Sequence, residues 1–87
     1  MVLKLMKVYI VMIDSQGLFA FQLFNLDRWN KLESLYKEQN LEKSHLLFKI
    51  KLNETEIQMV HTMIMKEKFH VAANMLLNLR KGRGDVD

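Results

Sequence analysis

Between Met6 and Phe24 the chain reads MKVYIVMIDSQGLFAFQLF, and polar residues almost vanish on both sides of one short break. A strand with one wet face alternates apolar and polar positions. Here both alternating rows are apolar. In the first half, Met6, Val8, Ile10 and Met12 form one row, and Lys7, Tyr9, Val11 and Ile13 form the other. In the second half, Phe19, Phe21 and Leu23 share a row, and Leu18, Ala20, Gln22 and Phe24 share the other. Asp14-Ser-Gln-Gly17 separates the halves with turn chemistry: Asp and Ser suit early turn positions, and Gly accepts positive φ. The pattern predicts an antiparallel hairpin with strands over residues 5–13 and 18–24.

A helical period follows. Asn25 is placed to cap it, Asp27 sits in its first turn, and Leu26, Trp29, Leu32, Leu35 and Tyr36 make one apolar stripe opposite Arg28, Lys31, Lys37 and Glu38. Residues 39–44 read as a polar link. Residues 45–52 alternate cleanly, with Leu46, Phe48, Ile50 and Leu52 against His45, Leu47, Lys49 and Lys51. Outward lysines suit the edge of a sheet, where charge discourages pairing with other chains.

Asn53-Glu-Thr-Glu56 has the spacing of a capping box and opens a helical stretch running to residue 81. Ile57, Val60, His61 and Ile64 form its first stripe; Phe69, Ala72, Ala73, Leu76 and Leu79 form a later one. Gly82 is placed as the glycine just past its end. A single helix of this length spans roughly 40 Å at 1.5 Å per residue, long for so short a chain. The stripe shifts through Lys66-Glu-Lys68, which predicts either one overhanging helix or two helices with a break near 66–69. No Gly or Pro marks that break.

The order β-β-α-β-α, with the most apolar strand in the centre, predicts an α+β fold: a three-stranded antiparallel sheet in the order 2-1-3, helices packed on one face, and a long or broken C-terminal helix. The alternative order 1-2-3 contains a parallel pair. The 87 residues make one domain, expected to fray at 1–5 and 82–87. A chain this short buries only about 60–65% of its unfolded surface.

With helices on one face, the other is expected to present Tyr9, Val11 and Ile13, beside either the phenylalanines or Leu18 and Phe24, depending on register. An apolar patch of this kind marks an interaction surface; either the last helix wraps over it or a second molecule covers it, most often as a two-fold dimer, and association is the favoured reading. Met59 and Met63 lie off the Ile57 stripe; they read either as gap-filling in a thin core or as a second, adaptable apolar side of that helix. These residues lead to a small intracellular protein-interaction module, a homodimer that binds by surface contact and not by catalysis. Its size suits an accessory or inhibitory protein from a mobile element.

Composition narrows the alternatives. There is no cysteine, hence no disulfide framework and no thiolate metal site. No apolar run approaches the ~20 residues that cross a bilayer, and the N-terminal stretch lacks the pattern of a secretory leader; a cytoplasmic setting is the expectation. With three glycines and no phosphate-binding or nucleophile motif, neither a cofactor nor a small-molecule substrate is expected. Glu67-x-x-His70 is a lone copy of a spacing that binds metal only in pairs, and His61 reads as a core-edge histidine. The net charge of +3 is mild. It leaves a second reading in which Lys49, Lys51, Arg80, Lys81 and Arg83 hold nucleic acid weakly beside the aromatic residues of the sheet.

Overall fold

The structure is a computed structural model and describes residues 6–83. Strands β1 (Lys7–Asp14) and β2 (Gly17–Leu23) form the hairpin, followed by helix α1 (Leu26–Glu38), a 3-10 turn (Leu41–Lys43), strand β3 (Leu46–Leu52), and helices α2 (Glu54–Met65) and α3 (Phe69–Arg83). The sheet is antiparallel throughout, in the order β2-β1-β3, with α2 and α3 packed on one face. Of the residues expected to fray, 1–5 and 84–87 lie outside the described residues, and 82–83 belong to α3.

The register explains how so apolar a hairpin is sheltered. Val11 opposes Phe21 and Met12 opposes Ala20, but Ile13 opposes Leu18, so Phe19 is an extra residue in β2. Such a bulge changes which side the following residues face. Leu18 and Phe21 therefore share the helix-covered face, although strict alternation assigns them to opposite rows. Tyr9, Val11, Ile13 and Leu18 join Phe48, Ile50 and Leu52 there, and Ile57 and Val60 of α2 with Ala72, Ala73 and Leu76 of α3 close over them. Two alanines in α3 let its backbone come close to the sheet.

The C-terminal helical stretch is broken, and the break is a helix-ending hydrogen-bond motif. The Lys68 N–H donates to the Met63 carbonyl at 2.8 Å and the Glu67 N–H to the Ile64 carbonyl at 3.0 Å. Glu67 takes the left-handed conformation that glycine usually supplies, with φ +59°. This is why no Gly or Pro announces the turn. The reversal brings α3 back over the hairpin, where Gly17 receives it. Gly17 has φ +105°, and a Cβ there would stand 2.6 Å from the Phe69 carbonyl carbon. No other residue fits both the turn and that approach. At the far end, Gly82 does not terminate the helix: α3 continues through Arg83, whose guanidinium bonds the Lys51 carbonyl.

The reverse side of the sheet is also covered. Ile10 and Met12, which point away from α2 and α3, are 1% and 5% exposed. Lys49, opposite Ile10, places its ammonium 5.2 Å from the Phe24 ring and 5.0 Å from the Trp29 ring of α1. Trp29, Leu32 and Tyr36 are half-buried, and the Tyr36 hydroxyl donates to the His45 carbonyl at 2.8 Å. Leu26 and Leu35, expected on the same stripe, stay exposed. The capping box of α2 is present: the Glu56 N–H donates to the Asn53 side chain and the Asn53 N–H to the Glu56 carboxylate, each at 2.9 Å.

Candidate functional site

The apolar sheet face expected to lie open does not exist. Tyr9, Val11, Ile13 and Leu18 are core residues beneath α2 and α3, and Phe24 is half-buried beside Trp29. The bulge at Phe19 and the turn at Glu67 supply the cover that the apolar rows seemed to lack. Met63 packs against the core, while Met59 remains exposed. A single chain thus buries both sides of β1.

What stays exposed lies at the sheet's edges, and the two edges differ. The edge of β3 is guarded. Lys51 is exposed, Lys49 is drawn over the Phe24 and Trp29 rings, and the Arg83 guanidinium donates to the Lys51 carbonyl at 2.8 Å while pairing with Glu56. Charge and an occupied carbonyl both discourage strand pairing.

The edge of β2 has neither safeguard. Its seven residues, GLFAFQL, carry no charge and no proline. The Phe24 N–H donates to the Val8 carbonyl at 2.6 Å. Bonding alternates along an antiparallel pair, so Gln22 and Ala20 also bond toward β1. Phe21 and Leu23 then direct their backbone N–H and C=O groups outward. No side chain among the described residues meets those groups. Phe19 and Leu23 are 53% and 56% exposed.

A shallow cleft of about 260 Å³ follows this edge, bounded by Leu18, Phe19, Phe21, Ile64 and Phe69 among others. The Tyr9 and Phe21 rings stack at 4.3 Å, and the His61 ring meets Phe21 edge-on at 5.4 Å. His61 thus stands exposed above an aromatic pair at the core's margin. Order 2-1-3 already makes β2 an edge, and its missing charge is visible in the sequence. The apolar rows drew attention to the faces instead.

The basic residues do not gather into one surface. Arg80 stacks over the Phe48 ring at 4.6 Å, Arg83 is held by Glu56 and the β3 edge, Lys49 faces the reverse side, and Lys81 is exposed on α3. Glu67 and His70 flank the α2–α3 turn, and no group of three or more metal-binding side chains occurs among the described residues. No helix among them is long and apolar enough to cross a membrane. No protein-family model matches the chain, and comparison with curated proteins and with solved structures finds no match.

Proposed function

We propose that this chain is a small protein-binding module that acts by surface contact without catalysis, and that its binding surface is the open edge of β2 with the cleft beside it. One observation carries the reading: of the two sheet edges, β3 is charged and bonded by Arg83, whereas β2 is uncharged, apolar and backbone-exposed. An edge of this kind accepts an extended segment as an added strand. Backbone bonds then supply affinity and adjacent pockets supply selectivity. Leu23 is the residue to test. Its side chain is more than half exposed, so a lysine there leaves the core intact while placing charge on the edge. Immobilised wild-type chain is expected to retain proteins that Leu23→Lys does not. Capture that is the same with both would sink the assignment of the site.

A further inference from the structure

The turn between α2 and α3 is three residues long: Lys66, Glu67 and Lys68. A turn of this kind ordinarily takes glycine at its left-handed position. Here Glu67 holds that position at φ +59°, a conformation unfavourable to a residue with a Cβ. Lys66 stays near helical values, with φ −86° and ψ 3°. All three residues are exposed, and lysine and glutamate are strong helix formers. The segment suits a continuous helix and is kept bent by what α3 covers: Ala72, Ala73 and Leu76 are buried in the core.

A single chain cannot straighten this turn, because straightening lifts α3 away and opens the core to water. One object restores the same cover with the same fit, and that is α3 of another copy. The seat is specific to it. Gly17 admits the Phe69 backbone, the Phe48 ring takes Arg80, and Glu56 with the Lys51 carbonyl takes Arg83. We infer that two copies of the chain exchange α3 across this hinge. In each, residues 54–83 become one helix of roughly 45 Å, at 1.5 Å per residue, and each α3 fills the seat in the other copy. A short hinge under strain is what invites such an exchange.

The exchange sets its own stoichiometry and its own area. Each copy gives one α3 and receives one, so the assembly closes at two. Every contact of α3 is kept, so the interface is as large and as closely packed as the core contact it replaces. Two residues leave the left-handed region, one per chain, and each long helix gains backbone bonds across the hinge. Met65, 84% exposed beside the turn, falls within the new contact around the two-fold axis. Against these gains stands the lost freedom of joining two chains, which makes the exchanged form concentration-dependent. The β2 edge lies in the part that stays in place, and its cleft takes Phe69 from the second copy. The inference does not rest on the reading of that edge.

Refolding of the full chain from urea at micromolar and at millimolar concentration, followed by sedimentation, tests it. The mass is expected to rise from 10.4 kDa toward twice that value at the higher concentration. In a dimer refolded from equal parts of ¹³C-labelled and unlabelled chain, magnetisation should pass between Phe48 of one copy and Arg80 of the other, and between Gly17 and Phe69 likewise. Glu67→Ala keeps the strained turn and improves the helix, so it should dimerise at least as well as wild type. Glu67→Gly relieves the turn and weakens the helix, so its dimer should be weaker by about tenfold or more. Wild type and Glu67→Ala that both stay at single mass after refolding at millimolar concentration overturn the inference. So does a dimer whose Phe48–Arg80 and Gly17–Phe69 contacts stay within one chain, or one that Glu67→Gly leaves equally strong. Protein capture lost with Leu23→Lys in a chain that never dimerises would remove the exchange and keep the binding edge.

Discussion

Glu67 sits in a backbone conformation that costs a residue with a side chain roughly 1–2 kcal/mol, and it does so because the α2–α3 turn requires a left-handed residue there. Glu67→Gly removes that cost. Chemical denaturation should show a gain of about 1 kcal/mol with an unchanged slope, and a loss of stability would mean that the Glu67 side chain contributes more than its backbone costs. Gly17 is the opposite case. Its positive φ and the 2.6 Å approach of Phe69 exclude any Cβ. Gly17→Ala should destabilise by about 2–5 kcal/mol, combining strain and overpacking, with the loss visible in the thermal midpoint. An alanine variant as stable as wild type would show that α3 does not seat on the hairpin as described.

At the scale of elements, Glu56 joins two helix ends. One carboxylate oxygen accepts the Asn53 N–H and completes the cap of α2; the other pairs with Arg83 at the end of α3. Asn53→Ala should cost about 1 kcal/mol through the lost cap. Arg83→Ala should cost a similar amount, about 1 kcal/mol, because its charge-assisted bonds are partly exposed to solvent. The two changes share Glu56. Their double variant should depart from additivity by roughly 0.5 kcal/mol or more, measured by a double-mutant cycle in urea. Strict additivity would show that the cap and the β3 guard act independently. The capping box, the hairpin turn and the strand order were all legible in the sequence, because each depends on residues within a few positions or on one strand's composition. The bulge at Phe19 was not. Its place depends on the register with β1, which the apolar rows leave open because both are apolar.

Across the whole molecule, stability is unevenly distributed. β1 is paired on both sides and buried on both faces, whereas α1 buries no residue fully. Amide exchange should accordingly be slowest in β1 and fastest, among the helices, in α1, which opens well below the global unfolding free energy. Protection of α1 equal to that of β1 would contradict the packing. The two sheet edges are as unequal as the elements: one is closed by Arg83, the other open along an uncharged strand.

The sequence alone determined the hairpin, the first helix, the third strand, the capped start of α2 and the antiparallel sheet with β1 in the centre, because turn chemistry, capping residues and apolar density act locally; whether one helix or two follows Asn53 stayed open. Tertiary structure decided which apolar residues are sheltered. A one-residue bulge turned Leu18 and Phe21 to the same face, and a left-handed Glu67 folded α3 back over them, so Tyr9, Val11 and Ile13 became core. Burial depends on how segments distant in the chain meet, and no local pattern contains that distance. The candidate surface moved accordingly from the face of the sheet to its one unguarded edge.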